Sequence, residues 1–117
     1  MKIQENILIH QDSGVLHIGI NRPEKKNALT HLMYSAMATA LKDSASDDSI
    51  NVVLIHGTDD AFSAGNDLND FNNRDVNKAS PASILLYELH NYPKPIVGAV
   101  SGVAVGIGVT MLLHFDL

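Results

Sequence analysis

Apolar positions recur along this chain in two periods, and the changes from one to the other mark out its elements. Ile7, Leu8 and Ile9 lie within residues Ile3 to Gln11, and Val15-Leu16-His17-Ile18-Gly19-Ile20 follows the turn-forming triplet Asp12-Ser13-Gly14. Two short apolar runs around such a turn predict an N-terminal β-hairpin. Asn21-Arg22-Pro23 ends the second strand, because proline lacks an N–H and biases the residue before it away from helix. Thr30 is placed to cap a helix reaching about Ala45, since Leu32, Met33, Ala36, Met37, Ala40 and Leu41 recur at three- and four-residue steps. That stripe predicts core packing, with the two methionines as gap fillers. After the polar connection Ser46-Asp47-Asp48-Ser49, Ile50 to Ile55 forms an almost uninterrupted apolar run, as expected of a central parallel strand. A helix between strands implies a crossover unit.

Beyond Ala61-Phe62-Ser63-Ala64-Gly65-Asn66-Asp67-Leu68 the pattern weakens, and the polar stretch to Ala79 predicts a loop with a short helix. Ser80-Pro81 opens another helix, with a capping oxygen followed by a residue that needs no donor, leading into Ile84, Leu85, Tyr87, Glu88 and Leu89. Pro93 and Pro95 end it. A strand over Ile96 to Val100 follows, then the glycine-rich segment Gly102 to Gly108 and a helix from about Gly106 to Leu113. The expected class is α/β with a mainly parallel sheet, without repeats or linkers. Ile96 to Leu113 carries no charge, and Gly98, Gly102 and Gly106 have the spacing of close-packed spanning helices. Pro95, the thinned helix propensity and the Val and Ile of its first half favour a buried strand, a glycine turn and a helix start, so no membrane partner is expected.

Composition narrows the function classes. The 117 residues are 45% hydrophobic and 18% charged, which describes one globular domain rather than a disordered tail. Lys and Arg total 8 against 13 Asp and Glu, so the net charge is 8 − 13 = −5; without a basic block, nucleic acid is not an expected partner. The absence of cysteine excludes disulfides, thiolate zinc sites and cysteine nucleophiles. Met1-Lys2-Ile3-Gln4-Glu5-Asn6 has neither the apolar stretch of a signal peptide nor an Arg-rich transit pattern, which makes the cytoplasm the expected compartment. The six histidines never pair with a second ligand at helical spacing, and Asp59, Asp60, Asp67 and Asp70 lack the glycine and terminal glutamate of a calcium loop. No metal site is expected.

The glycines carry more information. Neither the Gly-Lys-Ser/Thr phosphate loop nor the dinucleotide fingerprint is present. Two backbone-rich turns remain, Ala64-Gly65-Asn66 and Gly106-Ile107-Gly108, each following a strand and opening a helix. On neighbouring parallel strands they could aim two N–H groups at one oxygen, holding an anion or a polarised carbonyl. On spacing alone, two ordinary strand-to-helix turns are the simpler reading.

Four motifs in order resemble the enoyl-CoA hydratase and isomerase (crotonase) superfamily: Asn21-Arg22-Pro23-Glu24-Lys25-Lys26-Asn27-Ala28-Leu29, Phe62-Ser63-Ala64-Gly65-Asn66-Asp67-Leu68, Lys94-Pro95-Ile96-Val97-Gly98-Ala99-Val100, and Gly102-Val103-Ala104-Val105-Gly106-Ile107-Gly108-Val109-Thr110. The resemblance runs over essentially the whole chain, and these proteins are usually about twice this length. It implies that residues 1–117 form the N-terminal part of a single crotonase-like domain, a spiral of ββα units (the ClpP/crotonase fold) incomplete at its C-terminal end.

In that family the thioester oxygen of an acyl-CoA sits between two backbone N–H groups, which by position are those of Asn66 and Ile107, beside Gly106. The resemblance also implies that CoA runs along Lys25, Lys26 and Ala28 and along Ala64, Gly65, Asp67 and Leu68, with Arg22, Lys25 and Lys26 as a basic cluster near its phosphates. CoA belongs to the substrate, and no separate cofactor is implied. Hydratases of the family place a first glutamate where this chain has Thr110, whereas the Asn66-Asp67-Leu68 and Val109-Thr110 variants look closest to Δ3,Δ2-enoyl-CoA isomerases. Their single carboxylate would lie beyond Leu117; none of Glu24, Asp67, Asp70, Glu88 or Asp116 stands at its position. The expected function is enoyl-CoA isomerisation in fatty-acid breakdown, with a hydratase (a lyase) and a non-catalytic acyl-CoA-binding or interaction module as alternatives. Trimers and hexamers are common in the family, so a homo-oligomer is expected, and a half-domain with an open parallel edge and an uncovered apolar helix is expected to self-associate.

Overall fold

A computed structural model describes residues 1–117. The chain opens with three antiparallel strands, β1 (Lys2–Gln4), β2 (Ile7–Asp12) and β3 (Val15–Ile20). Both connections are two-residue turns with positive φ at each central position, 49° and 64° at Glu5 and Asn6 and 52° and 82° at Ser13 and Gly14. Such turns match the right-handed twist of the strands they join. The sequence reading found only the second of them, because Glu5 carries no turn signal and β1 is three residues long, so the single hairpin becomes a three-stranded meander.

Helix α1 (His31–Ser44) crosses over from β3 to β4 (Val52–His56), which pairs parallel to β3, and β6 (Ile96–Ala99) pairs parallel to β4. The sheet order is β1-β2-β3-β4-β6. Thr30 caps α1, accepting from the Met33 N–H at 3.1 Å, and Met33, Ala36, Met37 and Leu41 are buried as the stripe requires. Leu32, placed in that stripe by spacing, is 60% exposed, while Tyr34 and Ala38 are buried instead. The inward face follows the Met33-Met37-Leu41 line, and Leu32 falls to one side of it. In β4 burial alternates: Val53 and Ile55 are enclosed and Val52, Leu54 and His56 only half-covered, because the helices pack on one face of the sheet.

Two strands too short to show a period were missed. After β4 the chain forms β5 (Ala61–Ser63), and after β6 it forms β7 (Val103–Ala104); these pair parallel in a separate two-stranded sheet. Helix α2 (Leu68–Asn72) and helix α3 (Pro81–His90) follow β5, and α4 (Ile107–Thr110), continued by a 3-10 turn over Met111–His114, follows β7. Each later unit is therefore strand, short strand, helix. The core joins Ile7, Ile18 and Ile20 of the meander to Met33, Met37 and Leu41 of α1, with Phe62, Leu85, Leu89, Ile96 and Met111 closing it.

The uncharged run Ile96 to Leu113 is divided among β6, β7 and α4, and no helix is long and apolar enough to cross a membrane. Its glycines serve separate needs: a Cβ on Gly98 would meet the Phe115 ring at 2.5 Å, and one on Gly102, where φ is +72°, the Asp60 carbonyl at 2.1 Å. The edge of β6 is not bare. Gly98 N–H donates to Leu117 O at 2.8 Å and Asp116 N–H to Ile96 O at 2.8 Å, while Phe115 stands edge-on to Phe62 with ring centroids 6.3 Å apart.

Candidate functional site

The two glycine turns meet. Parallel pairing of β5 with β7, continued by Val105 N–H to Ser63 O at 3.0 Å, carries both strand ends to the same place. A Cβ on Gly65 (φ +100°) would lie 3.1 Å from Val105 O, and one on Gly106 (φ +58°) 3.9 Å from the Gly65 Cα. Side chains at these two positions would hold the turns apart.

Neither the Asn66 nor the Ile107 N–H donates to any acceptor in the chain, and each belongs to a peptide held by its carbonyl. The Gly65 carbonyl, in the peptide that carries the Asn66 N–H, accepts from Leu29 N–H at 2.7 Å. The Gly106 carbonyl, in the peptide that carries the Ile107 N–H, accepts from Val109 and Thr110 N–H at 2.9 and 3.0 Å, with the Thr110 hydroxyl at 3.3 Å. In a trans peptide N–H and C=O point opposite ways, so anchoring the oxygen aims the N–H away from the anchor. Two free donors on adjoining turns, oriented from behind, can hold a negatively polarised oxygen without reorganising.

The loop of Asn21 to Leu29 is zipped onto this turn. Asn27 is wholly buried with φ 60°, a left-handed conformation that asparagine tolerates. Its Oδ1 accepts from Arg22 N–H at 2.7 Å and its Nδ2 donates to Ala61 O at 2.8 Å. Ser63 donates its hydroxyl to Asn27 O at 2.9 Å and accepts from Gly65 N–H at 3.1 Å. Gly65 is thus tied at its nitrogen through Ser63 and at its oxygen by Leu29. Nothing in the spacing of single residues identified Asn27, Ser63 or Leu29 as supports.

Arg22 is spent within the fold. Its Nη1 donates to Asp67 Oδ2 at 2.8 Å and to Ala28 O at 3.1 Å, and both side chains of the ion pair are largely covered, at 17% and 12% exposure. The basic cluster expected near phosphates is therefore reduced to Lys25 and Lys26. Asp67 also caps α2, with Oδ1 accepting from Asp70 N–H at 3.1 Å. The hydrogen bond from Arg22, then that from the Asp70 N–H, holds its carboxyl below the usual range. Asp70 in turn accepts from His31 N–H at 2.7 Å, fastening the start of α1.

An open groove of about 480 Å³ gathers Lys25, Ala28, Ala64, Asn66, Asp67 and Leu68, with Asn69. Lys26 is exposed outside this lining and contributes its carbonyl, which accepts from Ala64 N–H at 3.0 Å. Gly65 is buried beneath the groove, and Ile107 and Gly106 stand on the adjoining turn.

A family model described as enoyl-CoA hydratase/isomerase matches residues 10–117. The chain belongs to this family. Its fold is the crotonase fold: the Pseudomonas aeruginosa OdaA structure is 44% identical and superposes with a TM-score of 0.90, over 97% of this chain and 46% of that one. Rat enoyl-CoA delta isomerase 2 is 40% identical over 98% of this chain and 32% of its own length. The 1,2-epoxyphenylacetyl-CoA isomerase of Escherichia coli K12 is 36% identical over 98% of this chain and 47% of its own length. The chain thus spans between a third and a half of the length of these curated relatives.

Proposed function

We propose that this chain holds the thioester of an enoyl-CoA substrate for isomerisation, moving the double bond from the 3- to the 2-position. The observation that carries the reading is the pair of acceptorless N–H groups, Asn66 and Ile107, each aimed by its own anchored carbonyl across the Gly65–Gly106 contact. A thioester oxygen between them gains negative charge when a proton leaves C2 of a 3-enoyl-CoA, and the two donors stabilise the resulting dienolate. Return of the proton at C4 yields the conjugated 2-enoyl thioester. CoA lies along the groove floored by Ala28 and Ala64, with Lys25 at its rim to meet phosphate charge.

Thr110 supports isomerisation over hydration, since its hydroxyl turns back onto Gly106 O and brings no acid or base to the second turn. The similarity to rat enoyl-CoA delta isomerase 2 supports this choice. Asp67 is paired with Arg22, Asp70 accepts from His31 N–H at 2.7 Å, and Asp116 accepts from Ile96 N–H at 2.8 Å, so these carboxylates are occupied within the fold. None of these three is assigned as the group that moves the proton.

The test is Ile107→Pro in the full-length protein. Ile107 is the first residue of α4, where proline is tolerated, and its N–H has no partner to lose. We expect an unchanged far-UV spectrum and a fall of about 10²–10³ in the rate of 3-enoyl-CoA isomerisation. Rapid hydration of a 2-enoyl-CoA without double-bond shift would make the protein a hydratase, and thioester binding without turnover would make it a binding module.

A further inference from the structure

Asn66 has a second attachment that neither the family motifs nor the backbone ladder requires. Its side-chain Oδ1 accepts the hydroxyl of Tyr34, which stands on α1, 32 residues earlier. The Tyr34 ring is 1% exposed among the buried residues of that helix, and Asn66 is its sole hydrogen-bond partner. Asn66 itself is exposed, and apart from Tyr34 nothing holds its side chain. A buried helix therefore reaches out to grip an exposed residue at the tip of a turn whose glycine, Gly65, sits in a left-handed conformation.

We propose that Tyr34 is a positioning residue for the oxyanion site, tethering Asn66 so that its peptide N–H stays aligned as charge develops on the bound oxygen. The proposal rests on the thioester-holding reading above. Leu29 fixes the carbonyl end of that peptide at 2.7 Å, and Tyr34 fixes the residue on its other side, leaving the turn little freedom to swing. Burial raises the Tyr34 phenol well above its ordinary value, so the hydroxyl remains a donor throughout the range in which enzymes work.

The tether is tested in the full-length protein with Tyr34→Phe and Asn66→Ala, the second of which alters an exposed side chain, keeps the N–H and leaves the core intact. Each is expected to lower kcat for a 3-enoyl-CoA about tenfold at unchanged KM, because misplacing a catalytic donor by a fraction of an ångström weakens transition-state binding selectively. The double variant is expected to lose no more than either single one. Additive losses, or wild-type kcat in either single variant, would overturn the tether. A substrate-free arm separates this outcome from failure of the functional reading: the ¹⁵N order parameter of the Asn66 amide should fall below that of rigid backbone in both variants. If the wild type does not isomerise the substrate, the functional reading fails while the order parameters still decide the tether; an unchanged order parameter refutes it.

Discussion

At the scale of single residues, the site depends on side chains that touch no substrate. Asn27 is completely enclosed, and Asn27→Ala leaves the Arg22 N–H without its acceptor, while the Ala61 carbonyl loses one donor and keeps the Thr58 N–H at 2.9 Å. The expected cost is about 2 kcal/mol in urea unfolding, since a covered polar group left unpaired costs roughly 1–3 kcal/mol. Asn27→Gly, which relaxes the left-handed backbone but restores no hydrogen bond, should recover only part of it. Asp67 contributes in a pH-dependent way. Its carboxyl is held below the usual range by Arg22 and then by the Asp70 N–H, so the folded chain binds this proton less readily than the unfolded one. Its stabilisation is complete above about pH 4, the ordinary aspartate value, and disappears as pH falls through the lowered native value. The acid limb of a stability–pH curve should therefore flatten in Asp67→Asn. Of these side chains, the sequence marked Asp67 and also Arg22, the latter for a phosphate-facing cluster rather than for this ion pair, while Asn27 looks like a loop polar until the loop folds over β5.

At the scale of elements, the decisive pieces are the shortest. β5 and β7 together span five residues, yet their parallel pairing brings the two glycine turns into contact. Gly108 sits at the junction: an added Cβ would lie 2.6 Å from Ser63 O, a backbone atom that cannot rotate aside. Gly108→Ala should push α4 away from β5, separating the Asn66 and Ile107 donors. A fall of tenfold or more in turnover with retained secondary structure is expected, measured by steady-state kinetics beside circular dichroism. The long elements were legible because helix α1 declares itself by period and cap, whereas two- and three-residue strands contain too few positions to show a period.

At the scale of the whole molecule, the meander, α1 and α3 enclose the core and the two glycine turns lie at its rim. Val103, Val105, Val109 and Leu113 on the glycine-turn side are between 42% and 80% exposed. A chain limited to residues 1–117 should therefore self-associate, seen as concentration-dependent sedimentation; a monomer at all concentrations would count against it. The expected driving surface shifts from the open sheet edge, which Asp116 and Leu117 partly occupy, to these exposed valines and leucine.

By itself the sequence determined what local physics can specify: the second hairpin turn, the capped helices after Thr30 and Ser80, the parallel strands at β4 and β6, and the two glycine turns with their flanking motifs. Each depends on residues within a few positions of one another, where periodicity, caps and backbone freedom act directly. Tertiary structure decided which partners those turns and their neighbours meet. It set Gly65 against Gly106, removed Arg22 from the phosphate-facing cluster by pairing it with Asp67, and joined Tyr34 to Asn66. These partners stand 41, 45 and 32 residues apart, the first from 106 − 65 and the others as measured. Over such separations a charge reads as solvated and a tyrosine as core, until the fold shows which partner removes each from water.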